Sequence, residues 1–121
     1  MFSKNGFAAN DVIRAVASTA DPSASNVCHR LLLPLARADE ERGSRLLETL
    51  RAYYACGASV AKTAERLFLH RNSVRYRLDR VRALLGADID HPEVAAAVLV
   101  AFSVSEAAVS AGVKHEAQRA K

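Results

Sequence analysis

This chain of 121 residues is poor in the features that mark several classes of protein. It has only 2 cysteines, Cys28 and Cys56, far apart and without a Cys-x-x-Cys pair or a histidine at ligand spacing. A zinc site is therefore not expected, and reduced thiols are the default. The longest apolar run, Val94 to Phe102, is too short for a bilayer, which takes about 20 apolar residues, and the N-terminus lacks a signal-type hydrophobic core. These features lead us to expect a soluble, cytoplasmic protein with no membrane contact. Glycine (5) and proline (3) are scarce and no period-2 run occurs, so strands are not expected. His29, His91 and His115 have no carboxylate or thiol at ligand spacing, and no Ser/His/Asp or Cys/His arrangement can be traced. We therefore expect no enzyme, no metal and no cofactor.

What remains is an alanine-rich chain, 50% hydrophobic, which suffices for one modest core. The expected fold is all-α, a helical bundle, and its most informative stretch is Ser59 to Gly86. Val60, Ala64 and Leu67 recur at helical spacing, Leu69 stands alone, and Val74, Leu78, Val81 and Leu85 resume the spacing after a short break. Two amphipathic helices meeting at a tight corner form a helix-turn-helix, with small Ala64 allowing close crossing, Leu69 filling the corner and Val74 anchoring the second helix.

Charge gathers in the same stretch. Seven basic residues (Lys62, Arg66, Arg71, Arg75, Arg77, Arg80, Arg82) face two acidic ones (Glu65, Asp79), a local balance of +5 in a chain whose total is +4. A charge this local is the footprint expected of a surface that meets nucleic acid, but charge alone fits a solvated arginine-rich face equally well. The small-residue crossing, the short corner and the Arg, Asn, Ser and Tyr at the start of the second helix favour double-stranded DNA. Arg71, opening the second helix, suits a bidentate contact to a guanine or a contact to phosphate. Asn72 suits either adenine pairing or helix capping. Ser73 and Tyr76 are expected on phosphates, as are Arg77 and Arg80 further along, and Ser59, Lys62 and Thr63 at the start of the first helix. Arg75 stands between base and backbone. Arg82 reads as a solvated shoulder and His70 as structural.

The segment from Leu46 to Phe102 resembles the C-terminal helix-turn-helix domain of PucR-type transcriptional regulators, relatives of the purine-catabolism and carbohydrate-diacid regulators of bacteria. LLETLRAY, the HRNSVRYRL core and the spaced LLG-D-D-P of Leu84 to Pro92 carry the likeness, and the core is also similar to the Fis-family hairpin. The resemblance implies a sequence-specific transcription factor. In the Fis-like match the positions of Arg71 and Arg75 carry base or groove contacts, which favours base reading by Arg71. Phe68 departs from the pattern, standing where many such motifs carry glycine, so the corner is expected to turn by another route. The resemblance also implies an upstream sensory region, making an effector ligand for this chain itself unexpected.

The domain reading follows. Residues 1–43 are an N-terminal helical arm or the trailing edge of an upstream region, 44–112 the DNA-binding domain and 113–121 a charged tail expected to fray. Within the arm, Asp11 to Ala20 suits a short helix, DPSASN breaks it, and a second helix ends near Leu33 because Pro34 follows. Gly57 and Gly86 suit left-handed helix ends, Ser59 an N-cap, and Asp90 the capping carboxylate of a last helix from Glu93 to about Ala111. That helix carries Val94, Val98, Phe102 and Val109 on one stripe. With Asp11 to Val16, it is a candidate surface for a homodimer. The alternative is a helical protein-interaction module that uses the apolar last helix and the arginine-rich helix.

Overall fold

The computed structural model describes residues 9–119, and the side chains of Asn10 and of residues 107–119 are left out of the description. The described residues form six helices and no strand: α1 (Ala9–Ser18), α2 (Pro22–Arg42), α3 (Leu46–Ala55), α4 (Val60–Leu67), α5 (Arg71–Leu85) and α6 (Pro92–Arg119). The all-α expectation is met. The expectations for residues 1–8 and 120–121 fall outside the described residues.

The chain divides into two compact units, Met1–Leu31 with Ala96–Lys121, and Leu32–Ala95. In the second unit α3, α4 and α5 pack against one another. Their shared interior is built from Leu46 and Leu50 of α3, Ala64 of α4, and Val74, Leu78 and Val81 of α5, all buried. The stripe foreseen on the second hairpin helix is thus the core-facing one, save that Leu85 is only half-buried. Leu35 of α2 and Ile89 of the α5–α6 connection are fully buried as well. In the first unit, Ala24, Cys28, Val100 and Val104 line one small cavity of about 260 Å³. Val98, Ala101 and Phe102 of α6 are buried, so the centre of the expected dimer stripe is covered within the chain. The side chain of Val109 lies outside the description.

The structure corrects several local expectations. Helix α2 does not stop at Leu33 but runs through Pro34 to Arg42. A proline in mid-helix forfeits one hydrogen bond at a cost of about 3 kcal/mol. Leu32, Leu35 and Ala38, buried on both sides of it, hold the helix together. The supposed breaker DPSASN starts this helix: the Asp21 carboxylate accepts from the Ala24 amide at 2.8 Å, with Pro22 in the first position. At the other end of the chain α6 continues past Gly112 to Arg119.

The start of α3 is held from a distance. Its N-cap residue, Arg45, makes no side-chain cap. Instead Asp39 of α2 accepts from the amides of Leu46 (2.7 Å) and Leu47 (3.1 Å) and from the Ser44 hydroxyl (2.8 Å). A carboxylate thus satisfies amides left unpaired at the helix start and sits at the positive end of the dipole. Gly57, with φ 68°, ends α3 as foreseen, and the Ser59 hydroxyl accepts from the Lys62 amide at 3.1 Å to start α4.

Candidate nucleic-acid interface

The corner between α4 and α5 keeps the usual geometry despite its side chain. The Leu69 amide donates to the Ala64 carbonyl at 2.9 Å and the Phe68 amide to the Glu65 carbonyl at 3.3 Å, the bonding pattern of a left-handed helix end. Phe68 occupies the left-handed position itself, φ 57° and ψ 44°. The expected alternative route is therefore not taken. A phenylalanine there costs about 1 kcal/mol relative to glycine, because its Cβ crowds the following carbonyl. The residue is 93% exposed, so burial does not offset that cost.

Helix α5 is capped by His70. Its Nδ1 accepts from the Asn72 amide at 3.0 Å, so in the neutral ring the proton sits on Nε2. Asn72 is thereby released from capping, and its side-chain oxygen accepts from Arg75 at 3.1 Å. Arg71, Asn72, Ser73, Arg75 and Tyr76 are all exposed within the first two turns, Tyr76 to 65%. Arg80 follows half-buried, and Lys62 is exposed near the start of α4.

Two of the nominated residues point elsewhere. Thr63 is fully buried, and its hydroxyl donates to the Ser59 carbonyl at 2.7 Å. Arg77 is half-buried and donates to the Thr49 hydroxyl at 3.2 Å, while Thr49 itself donates to the Arg45 carbonyl at 2.7 Å. Ser59, half-buried, is engaged as the cap of α4.

Charge placement gives the surface its chemistry. Neither α4 nor α5 has an acidic residue in its first turn. Lys62 and Arg71 occupy those turns instead, setting cations against the positive ends of two helix dipoles, an arrangement that favours a bound anion. The opposite end of α5 is neutralised: Arg82 pairs with Asp79 at 3.0 Å and with Asp90 at 3.3 Å, and is no solvated shoulder. Asp90 also accepts from the Tyr53 phenol at 2.7 Å, so it is not the cap of α6; His91 is, its Nδ1 accepting from the Glu93 amide at 3.2 Å. Tyr54 donates to the Ile89 carbonyl at 2.8 Å. Burial, with the Asp90 carboxylate beside them, pushes both phenols up to about 12. The D-D-P element therefore clasps α3 to α5 and the connection after it. Among the described residues no cluster of His, Cys, Asp or Glu is placed to hold a metal, and no helix is long and apolar enough to cross a membrane.

Residues 46–104, from the start of α3 into α6, match the family model of the PucR C-terminal helix-turn-helix domain. This segment belongs to that family. An uncharacterized protein of Mycobacterium tuberculosis is 37% identical over 99 residues, 81% of this chain and 23% of the relative. The purine catabolism regulatory protein of Bacillus subtilis is 42% identical over 62 residues, 51% of this chain and 12% of the relative. The carbohydrate diacid regulator of Escherichia coli is 33% identical over 79 residues, 64% of this chain and 20% of the relative. The chain thus spans less than a quarter of the length of these three proteins. Within the PucR-type domain, the exposed start of α5 coincides with the HRNSVRYRL core of the sequence.

Proposed function

We propose that this chain is the sequence-specific DNA-binding output module of a bacterial transcriptional regulator acting in the cytoplasm, with the first two turns of α5 in the major groove. The observation that carries the reading is the pair of helix starts, α4 and α5, with Lys62 and Arg71 where a carboxylate would ordinarily stabilise the dipole. A phosphate backbone supplies the missing negative charge. Arg71 reads a base, and Asn72 and Arg75, bonded to each other, present a joined amide and guanidinium to the groove. Ser73, Tyr76, Arg80 and Lys62 contact phosphates and fix the register. Ser59 and Thr63 support the start of α4, and Arg77 stays on Thr49.

The functional unit in this reading is a homodimer on half-sites about 34 Å apart, since one hairpin reads too few base pairs to stand out in a genome. Val12 and Val16 on α1 and Val27 on α2 are half or more exposed and offer apolar surface for the pairing.

Selection of bound sequences from random duplexes, followed by binding curves for two variants, tests the reading. Arg71→Ala should relax preference at one base position at a cost of about 1 to 3 kcal/mol, whereas Arg80→Ala should weaken all sequences alike. Equal losses on specific and non-specific DNA for both variants would refute the division of roles.

A further inference from the structure

A second surface lies on the far shoulder of α5, where the helix meets the corner and the start of α3. Arg45, Glu48, Arg66, Phe68, Leu69 and Arg77 line an open cleft of about 360 Å³. Three guanidinium groups face a single carboxylate there, and Glu48 is already paired with Arg45 at 3.6 Å. Arg77 is fixed in place by Thr49. At its rim stands Phe68, the one aromatic side chain of the hairpin corner, held in a left-handed conformation and 93% exposed. A non-glycine residue held in the left-handed region stores strain of a kind that clusters at functional sites, and here it also leaves a large apolar ring in water.

We propose that this cleft docks an acidic segment of a partner protein that carries one large apolar side chain. The guanidinium groups meet its carboxylates, and Phe68 with Leu69 covers its apolar anchor. Duplex DNA meets only half of this chemistry, because a phosphate backbone has no apolar surface for the ring. Arg77 follows Tyr76 directly and is therefore turned about 100° from it around α5, towards α3, where Thr49 holds it. The occupant is thus a second partner, bound beside the DNA.

The test uses the full chain and a fluorescein-labelled synthetic peptide of aspartate and serine around one phenylalanine, followed by anisotropy. Phe68→Gly is the informative variant, since glycine takes the left-handed conformation without strain and the corner is preserved. Wild-type protein should bind the peptide saturably, and the same peptide with serine for phenylalanine poorly. Phe68→Gly and Arg66→Glu should each weaken binding on the order of tenfold, the loss usual for an anchor residue. Duplex DNA affinity of Phe68→Gly should stay unchanged. Absence of saturable peptide binding, or peptide affinity indifferent to Phe68→Gly, overturns the proposal. Equal loss of peptide and DNA affinity in Phe68→Gly also overturns it, and assigns the cleft to DNA.

Discussion

Asp39→Ala should unfold the unit of α3, α4 and α5 more readily without touching the exposed side chains at the start of α5. Asp39 accepts from two amides at the start of α3 and from Ser44, and no side chain at Arg45 substitutes for it. Loss of an N-cap of this kind costs about 0.5 to 2 kcal/mol, and loss of a carboxylate at the helix dipole adds about 0.3 to 1 kcal/mol. Asp39 is half-buried, so the dipole contribution is only partly screened, and a total of about 2 kcal/mol is expected. Asp39→Asn keeps one accepting oxygen and should lose about half of that. Urea denaturation followed by circular dichroism measures both, at constant m-value if only stability changes. The consequence reaches function through α3, which packs on both hairpin helices and holds Arg77 by Thr49. DNA affinity well below the melting transition should therefore be retained by Asp39→Ala, while the transition itself moves down. A cost under about 0.5 kcal/mol for Asp39→Ala would refute the cross-helix cap, because even the weakest capping interactions reach that size.

The remaining predictions concern the clasp and the cap of α5. Tyr53 and Tyr54 have folded-state values raised from 10.0 to about 12, so their contribution to stability is complete below about pH 10 and lost as pH rises towards 12. Denaturation midpoints should fall across that window, and Tyr53→Phe should flatten part of the fall; a wild-type midpoint constant from pH 9 to 12 would contradict the shifts. His70→Ala should cost about 1 kcal/mol of stability and weaken DNA binding, whereas His70→Asn, which also accepts at the cap, should restore most of both. If asparagine restores stability and not affinity, the His70 ring itself meets the DNA.

The helices around the site were legible in the sequence because their signals are local. Ala64, Leu69 and Val74 fixed the hairpin, and Gly57, Ser59 and Gly86 marked its ends by conformations that the structure adopts. What escaped depended on residues distant in the chain. Asp39 caps a helix seven residues on, and Asp90 is drawn from its own helix start to Tyr53, thirty-seven residues earlier. Pro34 reads as a stop in the sequence, because the burial of Leu32, Leu35 and Ala38 around it is a tertiary fact. Phe68 suggests a departure in geometry, but the departure lies in energy: the backbone keeps the glycine conformation and the ring is left outside. Thr63 and Arg77 show the limit of polar-residue counting, since a hydroxyl or guanidinium on a helix shoulder serves the interior as readily as a ligand.

The same distinction changes what the +5 of Ser59 to Gly86 means for DNA affinity. Arg82 is paired with Asp79 and Asp90, so its charge is already balanced, whereas Arg77 keeps its charge and is held by Thr49 away from the exposed start of α5. Lys62, Arg66, Arg71 and Arg75 are exposed, and Arg80 is half-buried. Salt dependence reads this difference directly, because each phosphate neutralised by the protein releases counterions and contributes about 0.9 to the slope of log affinity against log salt. Lys62→Ala should therefore lower the slope by about 0.9 per domain, whereas Arg82→Ala should leave it unchanged while destabilising the clasp to Asp90. Measuring affinity for one duplex across a salt series, at a temperature where both variants are folded, separates the two effects. A slope reduced equally by both substitutions would mean that the Arg82 pair opens to the DNA, and that the sequence count of cations was the better guide.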